Sequence, residues 1–195
     1  FVALSVESPP ANKTMTMIGD SITWWSYGRY FRCLLASELP GVGFTGPHVD
    51  TFGFGHAGEG GTKTSQILDR LDAVQPADFY FVLAGTNDWP LGNPAKTFAN
   101  IREIAERLNS KGGKIIVSTL LPRLDANDGF NQQVNALIRE WGGAGCNCTV
   151  VELDKEFRAL PNQKALFWDA GVHPNLDGYH RVASILAPKL ARLIQ

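Results

Sequence analysis

The chain has 195 residues, 44% hydrophobic and 19% charged, a globular balance that excludes disordered and fibrous classes and suits a single domain over 1–195. Its formal net charge is −1 with no long run of lysine or arginine, so nucleic acid and anionic membrane surfaces are not expected partners. No apolar stretch approaches the roughly 20 residues of a spanning helix, and the chain opens on Phe1 rather than methionine, as removal of a secretory leader or trimming would leave it.

In chain order, strand-like and helix-like segments alternate. Thr14 to Ile18 is short, β-branched and apolar, and reads as a strand. Gly19-Asp20 breaks it before Ser21, and Ser26 to Leu39 puts Tyr30, Leu34, Leu35 and Leu39 at helical spacing. Val42 to Phe54 reads as a short strand with a glycine-punctuated loop, and Thr64 to Val74 as a helix. Asp78 to Ala84 is a continuous apolar run of buried-strand length. Asn93-Pro94 opens a helix through Lys111, ended by Gly112-Gly113. Lys114 to Leu120 is the next strand, Gly129 to Trp141 the next helix, Thr149 to Leu153 the last strand, and Asn175 to Ile194 the closing helix. This repetition predicts an α/β fold: a flavodoxin-like, five-stranded parallel sheet in a three-layer α/β/α arrangement.

Cys33, Cys146 and Cys148 lack the spacing of a zinc site. A disulfide between Cys33 and one of the other two, and three reduced thiols, are equally compatible with the sequence. The sequons Asn12-Lys13-Thr14 and Asn147-Cys148-Thr149 lean slightly toward secretion.

The chemistry-bearing residues lie at strand ends. Ser21 follows the first strand, Gly58-Glu59-Gly60-Gly61-Thr62 the second and Gly85-Thr86-Asn87-Asp88 the third. Asp169 to Asn175, with His173, precedes the last helix. A parallel sheet brings these positions to one edge. Serine is a weak nucleophile that needs a base to take its proton, and histidine has the pKa for it. The Ser21 amide, a glycine amide and the Asn87 side chain suit a developing oxyanion. The bland alternative for Ser21 is an N-cap. Asp20 and Asp88 read as structural carboxylates that accept from nearby loop or cap amides. Gly53 to Gly58 fits G-x-G-x-x-G, but the next helix opens several residues later, unlike a dinucleotide site.

These residues resemble the SGNH (GDSL-type) serine hydrolases. Gly19-Asp20-Ser21 is similar to the first family block, Gly61 to the second-block glycine, Asn87 to the third-block asparagine, and His173 in Val172-His173-Pro174-Asn175 to the fifth-block base. The resemblance implies ester hydrolysis through an acyl-enzyme, without cofactor or metal. It implies Ser21 as nucleophile, His173 as base, and Ser21, Gly61 and Asn87 as oxyanion donors. The family aspartate normally lies three residues before the histidine, where this chain has Ala170; Asp169 stands one residue earlier. Either Asp169 completes a triad or the site runs as a Ser-His dyad. His56 to Gly61 and Tyr30-Phe31-Arg32 also resemble the acetylxylan-esterase branch.

Trp24, Trp25, Trp89 and Trp168 lie within a few residues of a block and are candidate substrate-binding residues, able to stack on sugar or line an acyl pocket. The expected activity is hydrolysis of small acyl esters, acetyl first, on a carbohydrate such as acetylxylan, by a secreted monomer. A thioesterase, lysophospholipase or arylesterase presents the same blocks. A non-catalytic carbohydrate-binding protein on this fold, or a flavodoxin-like ligand binder, is the alternative from another class.

Overall fold

The structure is a computed structural model that describes residues 12–168 and 171–194. Strand β1 (Lys13–Gly19) runs through the middle of the sheet, and its last five residues are all buried. It pairs in parallel with β5 (Phe79–Leu83), Met15 facing Phe79 and Gly19 facing Leu83. Beyond β5 lie β6 (Lys114–Ser118) and β7 (Thr149–Val151), also parallel. Strands covered on both faces have no wet side, which is why β5 reads Phe-Tyr-Phe-Val-Leu rather than alternating.

The other edge of β1 is shared. Lys13 to Thr16 pairs with β2 (Val42–Thr45), and Ile18–Gly19 pairs with β4 (Gly55–Gly58). The two-residue β3 (His48–Val49) turns back antiparallel to β4. The expected strand order is therefore present, with the second strand split in two. Glycines permit the split: a Cβ on Gly46 would lie 2.4 Å from the His56 carbonyl, and one on Gly55 2.6 Å from Thr45 Cα. Only bare backbone can cross there.

Helix α2 (Ser26–Glu38) packs on the closing helix α7 (Leu176–Ile194). Helices α3 (Thr64–Arg70), α4 (Pro94–Asn109) and α5 (Asp128–Gly143) pack in sequence as a second group. Phe31 of α2 joins the layers, touching Phe81 of β5 and Tyr179 of α7. Asn93 caps α4 by accepting from the Lys96 amide, with Pro94 at the first helical position.

Among the described residues, two short α-helices go beyond the sequence expectation. Ser21–Trp24 forms its own turn, α1, separated from α2 because Trp25 is extended. Asp154–Arg158 forms a short α6, its Arg158 and Asp154 paired at i,i+4. The expected helix from Thr64 to Val74 is α3 followed by a 3-10 turn over Leu71–Ala73. Neither cysteine reading left open by the sequence holds: Cys146 and Cys148 are joined to each other, and Cys33 is an exposed free thiol. Cys33 lies on α2, whereas the other two sit in the loop before β7, so proximity decides the pair.

Candidate active site

Ser21 begins a helical turn of four residues, too short to hold itself. Its support comes from outside. Asp20 accepts from the Ile22 amide at 2.9 Å, the Tyr179 hydroxyl donates to the Ile22 carbonyl at 2.6 Å, and Arg32 Nη1 donates to the Thr23 carbonyl at 2.5 Å. Arg32 is wholly buried, and its Nε donates to Asp50 at 2.9 Å. A Cβ on Gly19 would lie 2.3 Å from Thr23 Oγ1 and 2.4 Å from the Leu83 carbonyl, so only glycine lets β1 enter this turn. Burial pushes the Asp20 carboxyl up to about 7, with Asp88 adding and the Ile22 amide and Arg70 opposing.

Ser21 Oγ lies 2.9 Å from His173 Nε2, across 152 residues of sequence. The imidazole stands edge-on to the Trp25 ring, with centroids 4.0 Å apart. The histidine loop is tied by its backbone: Trp168 N–H donates to the His173 carbonyl, Gly171 N–H to the Trp168 carbonyl, and Leu124 N–H to the Gly171 carbonyl. Gly171 has φ +73, and a Cβ there would lie 2.3 Å from the Leu124 side chain, so this tight loop requires glycine. Asp169, the expected partner of the imidazole, lies outside the described residues.

The glycine cluster packs against the serine turn. A Cβ on Gly58 would meet Thr23 at 2.8 Å, and one on Gly60 would meet the Trp24 ring at 3.0 Å. Gly61 differs, with φ +71 and no described heavy atom within 4 Å of a Cβ position. Gly58 and Gly60 thus serve close approach, whereas Gly61 serves backbone conformation beside open space. Asn87 donates one amide proton to the Thr62 carbonyl at 3.1 Å, which leaves the other for a ligand.

Asp88 is fully buried and structural, as expected. It accepts from the Thr64 amide at 2.9 Å, from the Thr97 hydroxyl at 3.0 Å, and from the Thr64 hydroxyl. Asp20 likewise spends an oxygen on a cap amide. The G-x-G-x-x-G pattern ends inside strand β4, not at a helix start.

The four candidate tryptophans divide. Trp24, Trp89 and Trp168 are exposed, while Trp25 is half-buried against His173. Arg123, buried after β6, has its guanidinium carbon 5.9 Å from the Trp89 ring centre and donates to the Thr86 carbonyl at 2.8 Å. Sequence reasoning missed Arg70, Arg123 and Tyr179. None stands in a block, and a polar residue at a helix end or after a strand gives no distinguishing signal.

Ser21 and the His173 imidazole thus meet, and Gly61 and Asn87, joined through Thr62, follow neighbouring strands at the same sheet edge, an arrangement that suits acyl transfer. The sequence profile of the GDSL-like lipase/acylhydrolase family matches residues 17–181. No curated protein matches the chain. Among solved structures, a carbohydrate esterase family 3 protein from Talaromyces cellulolyticus is 24% identical with a TM-score of 0.79, covering 93% of this chain and 98% of its own. A lipase/acylhydrolase from Enterococcus faecalis is 20% identical with a TM-score of 0.74, covering 92% and 96%. A catalytic mutant of an acetylxylan esterase from Geobacillus stearothermophilus is 17% identical with a TM-score of 0.70, covering 94% and 96%. At these identities the structural likeness speaks for the fold, and the profile speaks for the family: the chain belongs to the GDSL-like lipase/acylhydrolases and is a carboxylic ester hydrolase.

Proposed function

We propose that the protein is a serine esterase that removes small acyl groups, acetyl first, from carbohydrate such as acetylxylan. The observation that carries the mechanism is the 2.9 Å contact between Ser21 Oγ and His173 Nε2. In this reading His173 takes the Ser21 proton as Oγ attacks the ester carbonyl. The tetrahedral oxyanion is met by the amides of Ser21 and Gly61 and by the free Asn87 amide proton. His173 then protonates the sugar oxygen as its bond to the acyl carbon breaks, leaving the acyl group on Ser21 Oγ, and water, activated by the same imidazole, attacks that acyl group and releases the acid and free Ser21. Asp169 orients the imidazole in a triad; Asp169→Asn should cut kcat on the order of 10⁴-fold if so, and an unchanged kcat would favour a dyad.

The carbohydrate assignment draws support from the exposed Trp24, Trp89 and Trp168 near the rim and from fold likeness to two carbohydrate esterases. Aromatic faces suit sugar rings, with one flat apolar side and polar edges. We further propose a secreted monomer, consistent with the Cys146–Cys148 disulfide; light scattering of purified protein checks the monomer. The test of substrate class is acetate release from acetylated xylan against other acetylated glycans, alongside p-nitrophenyl acetate, butyrate and longer esters. Preference for acetyl and for xylan is expected. A long-chain preference would point instead to a lipase or lysophospholipase.

A further inference from the structure

Arg70 ends α3 where its guanidinium reaches three parts of the rim. Nη2 donates to the Gly19 carbonyl at 3.1 Å and to Thr62 Oγ1 at 3.2 Å, and Nε lies 3.3 Å from Glu59 Oε1. The acceptors are themselves linked. Glu59 N–H donates to the Gly19 carbonyl at 3.3 Å, the Thr62 hydroxyl donates to the Glu59 carbonyl at 2.9 Å, and His48 Nε2 meets Glu59 Oε1 at 2.9 Å. The Thr62 carbonyl in turn holds Asn87.

The placement of these contacts is what matters. Gly19 is two residues before Ser21, Gly61 lies between Glu59 and Thr62, and Asn87 hangs on Thr62. One half-buried cation therefore touches the supports of all three proposed oxyanion donors. We propose that Arg70 is a positioning residue that sets the spacing of the Ser21, Gly61 and Asn87 donors; this rests on the serine-esterase reading above. Arginine suits the task because its planar fork offers several donors in fixed directions, so a carbonyl, a hydroxyl and a carboxylate can share it. Lysine is a point charge on a flexible stem and would hold the three less firmly. Donors worth most when preorganised lose most when their support slackens, since a shift of about 1 Å can cost on the order of 10²-fold in rate.

The test is steady-state kinetics on p-nitrophenyl acetate with Arg70→Gln, Arg70→Lys, Thr62→Val, Ser21→Ala and Asn87→Ala, each checked for folding by circular dichroism. Arg70→Gln should lower kcat about 10- to 100-fold, leave KM within about threefold, and be partly rescued in Arg70→Lys. In an Asn87→Ala background the same change should cost less than in wild type, because one of the three donors whose spacing it sets is gone. Thr62→Val should show the same pattern more weakly, and it carries the test if Arg70→Gln does not fold. A merely structural role would lower the melting temperature and leave kcat at 25 °C unchanged; that outcome, or equal cost in both Asn87 backgrounds, overturns the inference. Wild-type turnover by Ser21→Ala would instead overturn the esterase reading beneath it.

Discussion

Asp20 and Asp88 are both buried carboxylates beside the rim, but their partners differ. Asp88 meets two hydroxyls and an amide, whereas Asp20 has its cap amide at Ile22 and the repulsion of Asp88. Asp20 is raised from 3.8 to about 7, so the folded state holds its proton after the unfolded chain has released it. Its contribution therefore favours folding at low pH and is lost as pH rises from about 4 toward about 7. Asp20→Asn keeps an oxygen for the Ile22 amide without the charge. At pH 8 it should melt higher than wild type by several degrees, on the scale of about 2–4 °C per kcal/mol for a chain this size. The difference should shrink toward pH 4; a difference constant with pH would contradict the burial argument. His56 works in the opposite direction, since burial, with Arg32 and His48, holds it down at about 4. Unfolded histidine takes a proton near 6.5 that the folded one refuses, so the fold loses stability as pH falls between those values. At the site itself, Asn87→Ala should lower kcat on the order of 10²–10³-fold, or about 2.7–4 kcal/mol, with KM little changed; a loss confined to KM would remove Asn87 from the transition state. Ser21 and Asn87 stood out in the sequence as candidates because each sits in a short motif after a strand, and His173 because its motif stands just before the closing helix. Trp25 was legible only as an aromatic near a block, because its contact with His173 spans 148 residues of chain and leaves no local pattern.

At the scale of elements, the fold was read nearly whole. Continuous apolar runs marked β5 and β6, and Asn93-Pro94 marked the start of α4, because both signals are local. The turn α1 was not legible as an element of its own, since four residues carry no period and are held by Arg32 and Tyr179 from α2 and α7. The split of the second strand was also hidden, because glycine crossings between Gly46 and His56 are tertiary facts. Asp88 supplies the link between the Asn87 turn and helices α3 and α4 through Thr64 and Thr97. Asp88→Ala strips an acceptor from one amide and two hydroxyls, each costing roughly 1–3 kcal/mol if left unmet. The variant should lose at least about 2 kcal/mol by urea denaturation, and Asp88→Asn should lose less. An unchanged midpoint in both would show that the helices are held without it.

For the molecule as a whole, one architectural fact gathers the site: parallel strands deliver their carboxyl ends to a single edge. Ser21 follows β1, the glycine cluster follows β4, and Asn87 follows β5. The closing segment then returns His173 to the same edge, just before α7. The order of the candidate residues along the chain was legible for that reason, and the family match over residues 17–181 spans all of them. Acceptor specificity was not legible, because it depends on how exposed rings such as Trp24 and Trp89 stand around the rim, and sequence spacing does not encode that. The central claim is that Ser21 is the nucleophile of an esterase. Its most direct measurement is p-nitrophenyl acetate hydrolysis at pH 8 by wild type and by Ser21→Ala, both shown to be folded. The account predicts that wild type is faster by more than about 10³-fold, and equal rates would contradict it.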